Sequence, residues 1–405
     1  MKNVLYLSYD GMTDPLGQSQ VLPYLIGLSQ KGFRFTLISF EKPERFEEEK
    51  GKIAALCEAH NILWKPLLYT KNPPVLSTIL DVRKMKKLAA GLHQEKAFQL
   101  VHCRSYISAL VGLNLKRKKG IHFLFDMRGF WADERVEGKI WNPKNPLFKS
   151  IYSYFKKKER RYLEESDAIV SLTTAGKTEI LSWELQNVPM EKISVITCCV
   201  DLNLFNPDKI DHDLLAKKKQ ENHLEDRFIV GYVGSIGTWY QLREMLLAFK
   251  HILHLKPHAV FLFVTKDSPG MILREAKDLD IAENAIRVIA AQHQKVPCFI
   301  SLFDCSIFFI RPSFSKKASS PTKQGEIMAM GIPLICNAGV GDTDEIVQRY
   351  HSGIVLKDTT EESLASFSLD FAGFNRELTM LGAKEYFGLE HGVESYFQIY
   401  DKFVG

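Results

Sequence analysis

The feature that most constrains this chain is the regular alternation of short apolar runs with longer stretches of helical spacing. Thirteen runs of three to seven residues, rich in aliphatic and aromatic side chains, recur from the first residues almost to the end of the chain. We predict strands at 4–8, 35–40, 62–68, 100–103, 123–126, 168–172, 194–197, 228–233, 259–264, 286–289, 306–310, 332–336 and 353–355. This order predicts parallel sheets of the doubly wound α/β type, with helices on both faces.

A polar stretch interrupts the alternation near the middle of the sequence. Residues 201–226 are rich in charged side chains, and the strand–helix rhythm restarts after them. A chain of 405 residues is too long for one compact α/β domain and sufficient for two. We therefore predict two Rossmann-like domains, 1–200 and 201–384, facing a cleft at the carboxyl ends of their strands, where such sheets bind ligands. Residues 385–405 predict a helix that packs back on the first domain.

Composition excludes several classes of protein. Hydrophobic residues make up 45% and charged residues 25%, which is typical of a globular chain and not of a disordered one. No uninterrupted apolar window of about 18 residues predicts a membrane span. The seven cysteines include no C-x-x-C pair, which disfavours a disulfide framework or a regular zinc site and favours a reducing compartment. We expect a cytoplasmic protein, peripheral at most on the inner face of the plasma membrane.

The positive charge of the chain is concentrated in its first half. Residues 1–200 hold 31 Lys and Arg against 21 Asp and Glu, whereas the whole chain carries a net charge of only +5. The excess lies in three clusters, at 83–87, 116–119 and 156–161. Any one cluster can be explained by solubility, but three in one half favour an anionic membrane surface or a phosphorylated acceptor as partner. No nucleic-acid-binding motif accompanies them.

The sharpest motif is S-S-P-T-K-Q-G-E-I-M-A-M-G-I-P at residues 319–333. Ser320 is a good N-cap and Pro321 suits the first helical position, so we predict a helix from Pro321 to Met330. The amino end of such a helix attracts anions, and Lys323 adds a full charge. Glu326 falls on the same helical face as Lys323, and its carboxylate can accept hydrogen bonds from a vicinal diol such as a ribose. An ordinary amphipathic helix with a Lys–Glu pair explains the motif equally well.

In its setting between two apolar runs, this motif resembles the donor-binding segment of the retaining family 4 glycosyltransferases of the GT-B fold. The resemblance extends to G-Y-V-G-S-I-G-T-W-Y at 231–240, to V-D-x-x-x-F-x-P at 200–207, and to the segments 10–20 and 125–134 of the first half. It implies a donor site formed by Gly17, Gly234, Ser235, Ser320, Thr322, Lys323 and Glu326. It also implies catalytic roles for Asp126, Arg128 and Lys323, and acceptor contacts from Arg104 and Asp10.

Three positions depart from the family pattern. The first glutamate of the family's E-x7-E pair is replaced by Ala318, and the usual basic residues of the loop near Gly234 are absent. The strand-end histidine of the first domain is replaced by Asp126. We therefore expect Lys323 and the amino end of its helix to bind the phosphates of the donor and to neutralise their charge.

The resemblance implies transfer of a sugar, with retention, from a nucleotide diphosphate sugar to an acceptor. UDP is favoured over GDP, and the expected acceptor is lipid-linked or a saccharide in the assembly of capsule, O-antigen or a similar polysaccharide. We expect no metal, because the three D-x-D sequences lie in linker or helix or cap a helix, and no cofactor beyond the donor. A sugar-nucleotide epimerase and a non-catalytic nucleotide-sugar-binding protein are the alternatives. An NAD oxidoreductase is poorly supported, since no G-x-G-x-x-G follows a strand.

Overall fold

The computed structural model describes residues 2–404 and divides them into two compact units. Unit 1 contains residues up to 197, the short segment 317–319, and the chain from 389 onward. Unit 2 contains residues 198–316 and 320–388. Within residues 2–404, no helix is both long and apolar enough to cross a membrane.

Unit 1 is built on a seven-stranded parallel sheet with the order β3-β2-β1-β4-β5-β6-β7. Residues of β4 and most residues of its neighbours β1 and β5 are buried, as the unbroken apolar runs require of a sheet covered on both faces. The strands are β1 (Lys2–Ser8), β2 (Phe33–Glu41), β3 (Leu63–Leu68), β4 (Leu100–Arg104), β5 (His122–Asp126), β6 (Ala168–Ser171) and β7 (Ile193–Val195).

Helices cover both faces of this sheet. The helices of the first half are α1 (Pro15–Gln20), α2 (Leu22–Gln30), α3 (Pro43–Ala59), α4 (Leu76–Lys96), α5 (Ser105–Lys119), α6 (Trp131–Glu137), α7 (Pro146–Glu165) and α8 (Thr174–Leu181). One layer places α5 between α4 and α7, while the last helix, α17 (Leu389–Val404), packs against α2.

Unit 2 repeats the architecture with a six-stranded parallel sheet of order β10-β9-β8-β11-β12-β13. Its strands are β8 (Phe228–Val233), β9 (Ala259–Val264), β10 (Ile286–Ile289), β11 (Cys305–Phe308), β12 (Leu334–Asn337) and β13 (Gly353–Leu356). Its helices are α9 (His212–Glu221), α10 (Leu242–Leu255), α11 (Pro269–Asp278), α12 (Val296–Ile300), α13 (Thr322–Ala329), α14 (Thr343–Arg349), α15 (Glu361–Ser366) and α16 (Arg376–Phe387). The two sheets confirm the predicted fold class.

Two predicted helices are each interrupted by a local break. The spacing of the apolar residues over 20–30 predicts one helix, but Val21 adopts φ −130° and ψ −62° and separates α1 from α2. The predicted terminal helix over 385–404 begins at Leu389 instead, because Gly388 leaves the helical region at the end of α16. Since α16 contacts α13, this break separates a helix of unit 2 from the α17 helix of unit 1.

Candidate active site

The motif at 319–333 forms a helix, but its capping differs from the prediction. Pro321 is extended (φ −70°, ψ 113°) and occupies the cap position, so that α13 begins at Thr322. The prediction of Ser320 as N-cap is wrong, because Ser320 lies one residue too early to reach the first-turn amides. Its Oγ instead accepts a hydrogen bond from the backbone N–H of Cys198 at 3.2 Å. No described side chain caps the amino end of α13, and Gly331 follows the helix with φ +66°.

Lys323, in the first turn of α13, is a buried cation stacked on two aromatic rings. Its Nζ lies 3.4 Å from the ring centroid of Tyr240 and 3.8 Å from that of Tyr232. Among residues 2–404 no group accepts a hydrogen bond from this ammonium. Burial lowers the pKa of Lys323 well below the ordinary lysine value, although the carboxylates of Glu326 and Asp267 act in the opposite direction. Ring faces attract a cation but leave its N–H donors unused, so the group is suited to an anionic ligand.

The loop after β8 lies beside this ammonium. Gly234 has φ +95°, and a Cβ placed on it would lie 3.6 Å from the Nζ of Lys323. The following residues are fixed by Asp267, whose Oδ2 accepts from the N–H of Ile236 at 2.6 Å and from the Oγ of Ser235 at 3.2 Å. The turn therefore brings backbone close to the lysine, with an exposed hydroxyl at its edge.

Glu326 does not pair with Lys323, contrary to the ion pair that their spacing allows. Its Oε1 lies 3.2 Å from the Nε2 of His293, a half-exposed side chain whose ring packs edge-on against Phe205. The carboxylate is largely buried and one helical turn away from Lys323. A diol reaching Glu326 therefore meets an acceptor that is already oriented by His293.

In unit 1, Asp126 belongs to a buried network that includes the terminal helix. The Oδ2 of Asp126 accepts from the Oη of Tyr396 at 3.0 Å and lies 3.3 Å from the Nε2 of His102. The Nδ1 of His102 is 2.6 Å from the Oη of Tyr400. Burial alone would raise the pKa of Asp126, but Arg128 and His102, with a smaller effect from Arg104, lower it below the ordinary value. The Oδ1 of Asp126 is buried and accepts no hydrogen bond within residues 2–404.

The predicted acceptor residues adjoin this network. Arg104, at the end of β4, pairs with Asp126 across the parallel register, and its Nε donates to the Oδ2 of Asp10 at 3.2 Å. Arg128 has φ 55°, a conformation that non-glycine residues rarely adopt, and its charge acts on Asp126. The structure thus brings Asp10, Arg104, Asp126 and Arg128 together at the carboxyl ends of β1, β4 and β5.

Gly17 follows β1, where the sequence predicts a turn that precedes the helix. It lies inside α1 instead, because the helix begins at Pro15. A Cβ on Gly17 would lie 2.2 Å from the carbonyl oxygen of Gly11, so the glycine is needed for packing of the β1–α1 turn. Buried Glu41 fixes the same turn by accepting from the N–H groups of Met12 and Thr13, both at 2.9 Å. A donor contact from Gly17 stays a prediction.

Ala318, which replaces the first family glutamate, is buried among glycines of unit 1. A Cβ on Gly176 would lie 2.9 Å from the Cβ of Ala318, and one on Gly129 would lie 3.2 Å from its carbonyl oxygen. The neighbouring Lys317 carbonyl accepts a 2.6 Å hydrogen bond from Thr173 Oγ1. The position is therefore built for a small side chain.

Several residues of these sites escaped sequence reasoning. Asp267 and His293 follow the strands β9 and β10 at their carboxyl ends, which is the signal that could have identified them. His102 lies inside a buried strand, and only the structure shows that Tyr396 and Tyr400 meet it. Within the described part of the chain, no three His, Cys, Asp or Glu side chains are grouped so as to hold a metal ion.

Comparisons with known proteins agree with this architecture. The family described as Glycosyltransferase Family 4 matches residues 21–204, and the family described as Glycosyl transferases group 1 matches residues 215–369. Together they span most of both units, and the chain belongs to the family 4 glycosyltransferases of the GT-B fold. It is a glycosyltransferase, as the resemblance implies.

Solved structures share the fold at low sequence identity. A glycosyltransferase from Rickettsia africae is 16% identical with a TM-score of 0.72, covering 99% of this chain and 98% of its own. Sucrose-phosphate synthase from Thermosynechococcus elongatus (15%, TM-score 0.74) covers 99% of both chains. HepE of Anabaena, solved with UDP and glucose (15%, TM-score 0.69), also covers 99% of both. None of the curated protein sequences compared with the chain matches it.

Proposed function

We propose that this glycosyltransferase takes its sugar from a nucleoside diphosphate sugar bound in unit 2. The observation that carries the proposal is the buried ammonium of Lys323, which has no hydrogen-bond acceptor among residues 2–404 and lies beside the Gly234 turn. A diphosphate supplies the acceptor oxygens and the negative charge that this position lacks. The uncapped amino end of α13, at Thr322, adds its dipole to the same charge.

The same groups have a catalytic consequence. As the bond between the anomeric carbon and the phosphate oxygen breaks, negative charge accumulates on the departing diphosphate. A fixed cation in a site shielded from water stabilises that charge more than it stabilises the intact donor. The Ser235 hydroxyl lies at the edge of the same turn and donates its one proton to Asp267, so that donation to a phosphate oxygen requires the hydroxyl to rotate away from that carboxylate.

Glu326 is proposed as the ribose-binding residue. Its carboxylate lies one turn beyond Lys323, which corresponds to the order of ribose and diphosphate along a nucleotide. Two vicinal hydroxyls can donate to its two oxygens, and His293 fixes the orientation of one of them. UDP is favoured over GDP because HepE, a protein of similar fold, was solved with UDP and with UDP-glucose.

Unit 1 is proposed to bind the acceptor. Asp126 has a free buried oxygen that can accept from an acceptor hydroxyl, and Arg104 and Arg128 add positive charge beside it. An acceptor that carries phosphate, such as a lipid diphosphate saccharide, suits these arginines and the basic balance of the first half. Retention of the anomeric configuration, and a place in capsule or O-antigen assembly, follow from the family resemblance and belong to the proposal.

The test is transfer itself. Purified protein is incubated with UDP- or GDP-sugars and a lipid diphosphate saccharide, and nucleotide release and product are followed by mass spectrometry and NMR. We expect the release of one nucleotide to depend on the acceptor. The transferred sugar in the product should have the same anomeric configuration as in the donor. Release of no nucleotide from any donor would contradict the proposed donor class, and an inverted product would contradict retention.

A further inference from the structure

We propose that the outer face of the α4–α5–α7 layer docks on an anionic phospholipid surface, with the first turns of α4 and α7 entering the interface. We call this surface the docking face. It is defined by apolar residues of α4 and α7 and by basic residues farther along all three helices: Leu76, Ile79, Leu80, Leu147, Tyr154, Arg83, Lys86, Lys87, Lys118, Lys119, Lys157, Arg160 and Arg161.

The apolar part of the docking face is unusually exposed. Leu76, Ile79 and Leu80 are 52%, 44% and 41% exposed, and their spacing places them on one side of the first turns of α4. On α7, Leu147 is 55% and Tyr154 46% exposed. Leucine and isoleucine held in water at the start of a helix lose the stabilisation that burial gives, so clusters of this kind mark contact surfaces.

The basic part follows the apolar part along the same helices. On α4 the exposed stripe continues from Leu80 to Arg83 and Lys87, and on α7 from Tyr154 to Lys157 and Arg161. None of the basic residues of the docking face forms a salt bridge within residues 2–404, whereas their neighbours Lys84 and Lys116 do. Their charge is therefore available to phosphate headgroups.

The topology places these features on one side of unit 1. Helix α5 contacts both α4 and α7, so that the three form one layer. Each helix connects parallel strands and begins near the carboxyl edge of the sheet, so the apolar first turns lie toward the edge that carries Arg104 and Asp126. A bilayer has both an apolar interior for the first turns and anionic headgroups for the basic residues. A nucleic acid offers anionic groups for the basic residues but no apolar interior for the first turns.

The docking face deepens the proposed function, because it would bring a lipid-linked acceptor to the end of unit 1 proposed to bind it. The binding itself is testable without any transfer reaction. The full-length protein is sedimented with vesicles of phosphatidylcholine containing 30% phosphatidylglycerol, and with vesicles of phosphatidylcholine alone. Each basic residue near an anionic surface contributes about fivefold to the partition coefficient, so the anionic vesicles should bind far more protein.

Two double variants divide the contributions of the docking face. Ile79→Gln with Leu80→Gln removes the apolar insertion without adding charge, and Lys86→Glu with Lys87→Glu reverses charge; each should weaken binding at least tenfold. The matched controls lie in unit 2: Leu378→Gln with Leu381→Gln on α16 exchanges similarly exposed leucines, and Lys217→Glu with Lys277→Glu exchanges exposed lysines. The controls should bind vesicles as the wild type does.

Equal binding to neutral vesicles, no binding to anionic vesicles, or unchanged binding by either docking-face variant would overturn the proposal. Binding to duplex DNA as tight as binding to anionic vesicles would also overturn it, because the basic residues would then bind phosphate groups in general and not a lipid surface. Nucleotide binding measured on the same samples separates the two proposals. Vesicle binding without nucleotide binding contradicts only the donor site, and the reverse contradicts only the docking face.

Discussion

At the scale of single residues, burial of the Lys323 side chain opposes the stability of unit 2. A lysine in this setting loses its hydration and gains only two ring faces in return. A hydrophobic side chain of similar length fills the same volume without that loss. The lysine is therefore better explained by a ligand than by the stability of unit 2.

We expect Lys323→Met to raise the free energy of unfolding of the ligand-free protein by about 1–3 kcal/mol at pH 7. Because burial lowers the pKa of Lys323 in the folded state, the native state binds this proton less tightly than the unfolded chain does, and raising the pH stabilises the native wild type. The advantage of the variant should therefore shrink as the pH approaches the ordinary lysine pKa. Urea unfolding between pH 7 and 10 measures it, with exposed Lys277→Met as control. A difference independent of pH would contradict this account.

Ala318 permits a second prediction at this scale. Ala318→Glu restores the family's first glutamate in sequence, but the side chain would have to occupy the space next to Gly176 and Gly129. We expect a loss of about 2–4 kcal/mol in stability, and no gain in transfer rate, because a buried carboxylate and a steric conflict are introduced together. Ala318→Ser, which adds one atom, is the control. Equal stability of wild type and Ala318→Glu, measured by thermal unfolding, would refute the packing argument.

At the scale of elements, the terminal helix α17 completes the site of unit 1. Its Tyr396 and Tyr400 lie one turn apart and contact Asp126 and His102, residues of β5 and β4. The helix thus connects the end of the chain to the carboxyl edge of the first sheet. Its apolar side chains anchor it, and its two hydroxyls orient the polar groups beneath.

We expect Tyr400→Phe to destabilise the protein by about 1–3 kcal/mol, since the Nδ1 of His102 is left buried without its partner. We further expect a lower kcat with unchanged affinity for nucleotide, because the contact lies in unit 1 and acts through Asp126. Tyr69→Phe, a half-buried tyrosine of the same unit, is the control. A change in nucleotide affinity with normal kcat would contradict a positioning role.

The elements themselves could be predicted almost completely from the sequence. All thirteen predicted strands are present with bounds within two residues, because buried parallel strands are continuous apolar runs with polar flanks. The differences lie where one residue leaves the helical region, as at Val21 and Gly388, and at the amino end of α13, where Pro321 and not Ser320 occupies the cap position. These depend on tertiary contacts, such as the hydrogen bond from Cys198, that no local pattern encodes.

At the scale of the whole molecule, the sequence shows which half holds the excess of basic residues, but not which exposed side chains lie beside them. The excess of positive charge in residues 1–200 can be read from the sequence. The exposure of Leu76 and Ile79 beside that charge is seen only in the structure. Similarly, the motif identifies Lys323 and Glu326, but the ordinary Lys–Glu pair that their spacing also allows is absent: Lys323 lies on two aromatic rings and Glu326 contacts His293.

The measurement that tests the central claim most directly is a thermal-shift panel of UDP, GDP, ADP, CMP and dTDP. It compares the wild type with Glu326→Ala and with Glu377→Ala, an exposed glutamate of α16, as control. A nucleotide at 100 times its Kd adds about 2.7 kcal/mol of stability, or a rise of about 3 °C in Tm for 405 residues that unfold together. We predict that UDP produces this rise in the wild type and in Glu377→Ala, and that Glu326→Ala loses most of it. If no nucleotide raises the Tm of the wild type, or if Glu326→Ala responds as the wild type does, unit 2 does not bind its donor as described.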